Sequence, residues 1–467
     1  MKRELKLYNT RTRSLDVFQP LHGKKVGLYT CGPTVYDTAH LGNLRSYIFS
    51  DILKRTLTMN GFQVKHVMNV TDVGHLTSDA DTGEDKLQRA AKAEHQTAWD
   101  IAKKYETQFW HDIKELNILP PDIIVKATDR IPDQIALIQI LEKKGFTYTT
   151  SDGVYFDTAK FPSYGALSRQ KREDKVAGAR VEVNQEKRHP ADFAVWKFSP
   201  TDTKRDMEWQ SPWGKGFPGW HIECSAISMK ELGDQFDIHT GGIDHIPVHH
   251  ENEIAQSEAA TGKSPFVNFW LHGEFLVIPG KRMGKSEGNV ITLADVIAKG
   301  VHPLAFRYLC LQTHYRQKMN FNWESLQAAQ IGLEKIWHQI DEHQVHPKIG
   351  CAEFEQRFAA AVNHDLDTPR AVAIMHQLLK SEYPWSAKLQ SLSVFDRVLA
   401  LGLSSVDPGR LHTAVREVPA GVAQLLEQRE QARQKKQWTL ADTFRREIEA
   451  SGYVIKDTDT GPVLHKK

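Results

Sequence analysis

The sequence predicts an α/β protein: a parallel sheet interrupted by an insertion, followed by a helical bundle and a small α+β unit. Three observations carry this. A strand, loop, helix and strand follow one another near the start; short strands and turns dominate from about 140 to 220; helical periods dominate from about 320 to 405. KKVGLYTCG is the first buried strand, with β-branched and aromatic residues before a Cys-Gly-Pro break. After the loop PTVYDTAHLGN, LRSYIFSDILKRTLTMNG keeps Leu44, Ile48, Ile52 and Leu53 at helical spacing until Asn60-Gly61 ends the helix. FQVKHVMNVTD is the next strand. Such a βαβ unit binds ligands at the carboxyl ends of its strands, so Cys31, His40 and Thr71 are expected at one edge.

Residues 75 to 130 read as largely helical, with a stop at Leu119-Pro120-Pro121. The strand-and-turn texture that follows is an insertion into the sheet domain. GWHIECSAISMKELGDQFDIHTGGID returns to helix and strand, and FLVIPGKRMGKSEGNVITLADVI is a strand, a glycine-rich basic loop and a helix. The final 47 or so residues read as two helices and a hairpin. No internal repeat or low-complexity tract is present.

The chain has 467 residues, long enough for about three domains. Its 60 basic and 58 acidic residues leave a net charge of +2, so any basic surface for a nucleic acid must be local. Neither a signal peptide nor a run of about 18 apolar residues is found, which predicts a cytoplasmic protein with no membrane partner. Four scattered cysteines, Cys31, Cys224, Cys310 and Cys351, suit buried thiols or ligands better than a disulfide framework.

Three stretches carry candidate chemistry. In IPVHHENEIAQSEAA, His249 and Glu253 stand four apart and share a helix face, whereas His250 and Glu251 are expected to point elsewhere. Two such ligands are half of a metal site, or a solvated helix start. The His-x-Gly turn of TVYDTAHLGNLRS offers backbone N–H groups and an imidazole to a phosphate. GKRMGKSEGN gathers Lys281, Arg282 and Lys285 between glycines, as in a mobile clamp on polyphosphate or an exposed basic turn. Walker-type spacing is absent.

Beyond these single motifs, YTCGPTVYDTAHLGN, NVTDVGHLTSDADTGEDK, YGALSRQ, WKFSP, SPWGKGFPGWHIECSA, DIHTGGIDHIPVHHENEIAQSEAATGK, GKRMGKSEGN and FAAAVNHDLDTPRA occur in one order. Through this series the chain resembles, over essentially its whole length, the cysteinyl-tRNA synthetases, a class I aminoacyl-tRNA synthetase family. The resemblance implies a Rossmann-like catalytic domain with a connective insertion, one zinc ion per chain, and Mg²⁺ accompanying ATP. The implied zinc ligands are Cys31, Cys224, His249 and Glu253, and Thr71 and Trp220 match positions lining the amino-acid pocket. His40, Gly42, Asn43, Met283, Lys285 and Ser286 match the ATP-contacting signatures, with His40, Asn43 and Lys285 in the catalytic role.

The activity so implied is ATP-dependent formation of cysteinyl-adenylate and transfer of cysteine to tRNA(Cys), with zinc selecting the substrate thiol over serine's hydroxyl. A monomer is expected. The resemblance divides the chain into the first half of the catalytic domain (1–135), the insertion (136–218), the second half with the zinc-ligand helix (219–275), the signature loop and stem-contact region (276–345), the tRNA-binding bundle (346–412) and the anticodon-recognition domain (413–467). Trp438 in the last is placed either to stack on a base or to fill a core.

Two departures from the family pattern fall in the ATP signatures. His-Ile-Gly-His is here His40-Leu41-Gly42-Asn43, and Lys-Met-Ser-Lys-Ser is Arg282-Met283-Gly284-Lys285-Ser286. Asn43 can donate a hydrogen bond but carries no charge, and Gly284 loosens its loop. Two other readings remain open at this point: a ligase passing cysteine to a small amine, and a tRNA-binding protein without catalysis.

Overall fold

The computed structural model describes residues 4–75, 85–170, 185–200, 205–278, 281–283, 288–343, 345–403, 419–458 and 461–466. A hairpin of β1 (Lys6–Asn9) and β2 (Ser14–Val17) precedes β3 (Lys25–Thr30), α1 (Leu41–Met59) and β4 (Gln63–Val70). The expected βαβ unit is therefore present. The α1 helix starts early, at Leu41, because His40 and Asn43 form a capping box, and it ends where Gly61 takes the left-handed conformation at φ 81°. Helices α2 (Lys86–Glu94) and α3 (Ala98–Glu115) lead to β5 (Ile123–Lys126).

That last strand corrects the reading of 75–130 as helix up to a stop. IIVK follows Pro120-Pro121 directly and is only four residues long, too short for a periodicity to declare itself. It pairs in parallel with β4 from Val67↔Ile123 to Val70↔Lys126 and completes the sheet edge.

After α4 (Ile131–Lys143), strands β6 (Thr147–Thr150), β7 (Gly153–Phe156), β8 (Phe193–Phe198) and β9 (Gly216–Pro218) form the antiparallel sheet of the insertion. The chain then returns to the parallel sheet through α5 (Trp220–Leu232), β10 (Phe236–Gly242), α6 (His249–Thr261) and β11 (Val267–Gly273).

The five parallel strands run in the order β11-β10-β3-β4-β5. From β3 the chain winds outward through β4 to β5, then resumes on the other side of β3 with β10 and β11. The winding direction reverses between β3 and β10, and a crevice opens at the carboxyl ends of strands at such a reversal.

Beyond β12 (Leu276–Ile278) and β13 (Lys281–Arg282) the described structure is mainly helical. It comprises α7 (Leu293–Ala298), α8 (Pro303–Leu311), α9 (Trp323–Asp341), α10 (Ala352–Val362), α11 (Thr368–Lys380) and α12 (Trp385–Leu399), with the short β14 (Met319–Asn320) pairing β12. One continuous apolar cluster joins the sheet to these helices, from Leu28 and Ile48 through Phe306 and Leu326 to Phe358 and Phe395. The final unit has its own small core of Val422, Ile448, Tyr453 and Ile455 beneath helices Ala420–Gln434 and Trp438–Ala450 and the hairpin Tyr453–Thr458/Gly461–Lys466. Trp438 is 59% exposed and takes no part in that core. Among the described residues no helix is long and apolar enough to cross a membrane.

Candidate active site at the carboxyl edge of the sheet

The reversal between β3 and β10 holds a cleft of about 1090 Å³. Cys31, His40, Asn43, Thr71, Trp220, Cys224 and His249 all line it, so the edge expected from the βαβ unit gathers both the thiol and the His-x-Gly residues. Cys31 directly follows β3, and its N–H donates to Thr240 O of β10 at 3.3 Å. The next residue must be glycine: a Cβ on Gly32 would lie 1.6 Å from Asn69 O of β4.

Cys224 stands in the first turns of α5, which packs on α6, the helix of His249 and Glu253. One donor atom from each of Cys31, Cys224, His249 and Glu253 lies within 4.8 Å of the others, and all four side chains are buried. The i, i+4 pair meets as its spacing requires, with His249 Nε2 3.0 Å from Glu253 Oε1. Tetrahedral zinc with bonds of about 2.0–2.3 Å places neighbouring donors roughly 3.3–3.8 Å apart, so the cluster needs only small adjustments to hold the ion. Two thiols, an imidazole and a carboxylate are also a donor set suited to it.

The charges within the cluster are strongly coupled. A hydrogen bond with Cys31, aided by His249 and opposed by burial, brings the Cys224 thiol down to about 7. Burial, and then the bond and charge of Cys224, push Cys31 well up. Burial also pulls His249 down, but its hydrogen bonds to Cys224 and Glu253 outweigh this and raise it to about 10. Glu253 is held well below the usual carboxylate range by His239 and His249, against its own burial.

More histidines surround the four donors than the sequence reading anticipated. His221 Nδ1 lies 2.9 Å from His249 Nδ1, leaving the other ring nitrogen of His249 for the cluster. His239 Nε2 is 2.9 Å from Glu253 Oε2. His250 does not point elsewhere: its Nε2 lies 3.5 Å from Cys31 Sγ and its Nδ1 2.7 Å from His272 Nε2. A helical wheel separates His250 from His249, but the thiol of Cys31 arrives from β3 on the side that His250 faces. One donor atom from each of Cys31, His239, His250 and Glu253 consequently also lies within 4.8 Å of the others.

Glu251 does turn away from the cluster. Its carboxylate accepts from Gly165 N at 2.8 Å and Ser168 N at 2.9 Å, fixing the YGALSRQ turn, and Asn252 Oδ1 accepts from Tyr164 Oη at 2.6 Å.

The side of the cleft at Thr71 and Trp220, expected to take the amino acid, rests on residues that sequence reasoning passed over. Thr71 Oγ1 donates to Glu223 Oε2 at 3.0 Å and accepts from Asn69 Nδ2 at 3.0 Å, while His75 Nε2 lies 2.6 Å from Glu223 Oε1. Glu223 is wholly buried. A glutamate beside Cys224 in an otherwise apolar helix start was the signal available for it. The Trp220 ring stands 4.8 Å from the His249 ring, which ties this pocket to the thiol cluster.

At the other end, His40 caps α1: its Nδ1 accepts from Asn43 N at 3.2 Å, and Asn43 Oδ1 accepts from His40 N at 3.2 Å. Asn43 therefore does structural work that a charge is not needed for. A Cβ on Gly42 would come within 2.9 Å of the His40 ring, so glycine is required there for the ring to fold back over the helix mouth. Met283 is buried in the main core, whereas Gly284, Lys285 and Ser286 lie outside the described residues.

Residues 17–331 match the family model described as the tRNA synthetases class I (C) catalytic domain. In fold, the chain is similar to the methionyl-tRNA synthetase of Mycobacterium tuberculosis bound by methionyl-adenylate. The TM-score is 0.56 at 15% identity, covering 86% of this chain and 94% of that one. A reversed parallel sheet whose cleft ends on a capped His-x-Gly turn is thus that of a class I aminoacyl-tRNA synthetase.

Residues 415–461 match the cysteinyl-tRNA ligase anticodon binding domain. The chain is 48% identical to cysteine–tRNA ligase 1 of Burkholderia lata, over 98% of this chain and 96% of that one. It is 39% identical to the cysteine–tRNA ligase of Thermus thermophilus, over 98% of each. The chain belongs to the cysteine–tRNA ligases, enzymes that activate cysteine with ATP and join it to tRNA. A family anticodon domain gives a tRNA acceptor its place, and the small-amine reading is dropped.

Proposed function

We propose that the thiol cluster holds one Zn²⁺ through Cys31, Cys224, His249 and Glu253, and that this ion selects cysteine. The observation that carries the proposal is the convergence of four buried donors on a cleft that also contains His40 and Trp220. When bound, zinc supplies a soft Lewis-acid position that takes a thiolate far more readily than serine's hydroxyl.

The chain's own residues supply alignment. Thr71, fixed by Glu223 and Asn69, and Trp220, seated on His249, orient the amino acid so that its carboxylate faces the α-phosphorus of MgATP. Attack there forms cysteinyl-adenylate and releases pyrophosphate, and the terminal ribose hydroxyl of tRNA(Cys) then takes the cysteinyl group. No enzyme nucleophile is needed, and positioning with charge stabilisation carries the rate. His40 and the backbone at the mouth of α1, with Gly42 and Asn43, contact the phosphates. Met283, Lys285 and Ser286 are assigned to ATP contact by their match to the family's second signature.

The bundle over 346–412 receives the tRNA, and 413–467 reads the anticodon, where exposed Trp438 can stack on a base. The catalytic domain comprises 1–135 and 219–275 around the insertion at 136–218, with the stem-contact region at 276–345. The enzyme acts as a monomer, in keeping with four donors, His40 and Trp220 that all come from one chain, and in the reducing cytoplasm, which suits four free, buried cysteines.

Replacing Cys224 tests the assignment. Structural zinc sites bind with about 10–16 kcal/mol, so one of four donors contributes roughly 3 kcal/mol, over 100-fold in metal affinity. Cys224→Ser should release zinc to a chelator at concentrations that leave the parent loaded, and should lose cysteine affinity while retaining ATP. Unchanged zinc content together with unchanged cysteine affinity would exclude the ligand role.

A further inference from the structure

We propose that Lys86 is an anion-binding residue of the adenylation step, its ammonium offsetting the repulsion between the substrate carboxylate and the α-phosphate as they approach. This rests on the amino-acid pocket proposed around Trp220. Lys86 lines the cleft, with Nζ 5.4 Å from the centroid of the Trp220 ring and 5.6 Å from that of Tyr36, both within cation–π range. Trp220 lies against the proposed metal ligand His249, and Tyr36 belongs to the loop between Cys31 and His40. The ammonium is thus held between the amino-acid side of the cleft and its nucleotide side, where the two reacting anions meet.

Its mounting is rigid. The Lys86 N–H donates to His75 O at 2.9 Å, and His75 bonds the buried Glu223 that fixes Thr71. The preceding residue, Asp85, caps α2 through Gln88 N at 3.0 Å and pairs with buried Arg205, whose guanidinium stacks 3.7 Å above Phe217. Asp37 and Asp244 also line the cleft, so a fixed cation there has acids to balance as well as substrate to hold.

In the reaction the new bond is carboxylate oxygen to α-phosphorus, the broken bond is α-phosphorus to bridging oxygen, and pyrophosphate carries away the electron pair. Lys86 keeps its proton throughout. The test is cysteine-dependent ATP–pyrophosphate exchange by Lys86→Met and Lys86→Arg, beside a cobalt-substituted sample of each titrated with cysteine. Loss of one preorganised donor to a charged transition state costs about 100-fold. Lys86→Met should lose about that factor in the exchange kcat, with little change in the cysteine concentration that perturbs the thiolate-to-cobalt band, and Lys86→Arg should recover much of it. Exchange by Lys86→Met within about threefold of the parent overturns the proposal, as does equal loss in both variants with a displaced cobalt titration, the mark of a collapsed pocket. A parent protein whose cobalt band ignores cysteine would instead overturn the pocket reading itself.

Discussion

Arg307 is fully enclosed where α8, the end of α3 and the end of α12 meet, and its replacement by methionine probes how the helical region is fastened to the catalytic sheet. The guanidinium donates from Nη2 to Asp51 Oδ2 at 2.6 Å, from Nε to Leu399 O at 2.7 Å and from Nη1 to Leu116 O at 3.1 Å. Asp51 lies in α1, so one side chain ties the first helix of the sheet domain to the last turn of α12. Removing one partner of a buried ion pair costs about 3–5 kcal/mol. Arg55 Nε remains 2.8 Å from the same Asp51 oxygen and trims the loss, whereas two carbonyls left without a donor add about 1 kcal/mol each. A net destabilisation of about 4 kcal/mol is expected, with most of it local to the joint. Amide exchange over residues 396–399 should accelerate by about 10³, since each 1.4 kcal/mol is tenfold. A urea midpoint measured alongside should fall. Function should divide in the same way, with tRNA charging reduced more than pyrophosphate exchange, because only charging needs the bundle proposed to receive the tRNA in register with the cleft. A loss below about 1 kcal/mol, or an equal effect on both activities, would refute the assignment of Arg307 as the fastening.

Two further outcomes follow from the site and its sheet. Gly42→Ala forces the His40 ring aside, because the added methyl meets it at 2.9 Å; exchange should slow by about tenfold or more with zinc content unchanged, and normal exchange would show that the ring position is immaterial. Burial, and secondarily the Lys54 ammonium, hold His66 down at about 3, while its unfolded value is about 6.5. Between those values the unfolded chain binds a proton that the native chain refuses, so stability rises with pH and is lost on acidification, by about 2 kcal/mol from this residue between pH 7 and 5. His66→Gln should flatten that slope in urea unfolding, and identical slopes would remove His66 from the account.

The parts of the fold that could be read from the chain are those whose signal is local. The α1 helix has its apolar period and an Asn-Gly stop, and the His249–Glu253 pair needs nothing beyond 3.6 residues per turn. Bringing Cys31 and Cys224 to that pair is a different kind of fact. It depends on β10 pairing with β3 rather than with its sequence neighbours of the insertion, which no short window encodes, and only the resemblance of the whole motif series supplied it. His250 shows the same limit from the other side. Its direction on the helix was clear, but what waits in that direction is a residue more than 200 positions away. The IIVK strand was hidden by brevity and by the helices on both sides of it.

The five residues His249 to Glu253 answer to different parts of the molecule. Two face the thiol cluster, one abuts Cys31, and Glu251 and Asn252 hold a turn that follows β7 within the insertion. The insertion is therefore no detachable module. Excising it to make a minimal catalyst would leave the buried Glu251 carboxylate without its two amide donors, in the same helical turn as the proposed metal ligands. Grafting HHENE onto another sheet would import the same debt. The helix of His249 and Glu253 and the insertion have to be engineered as one piece.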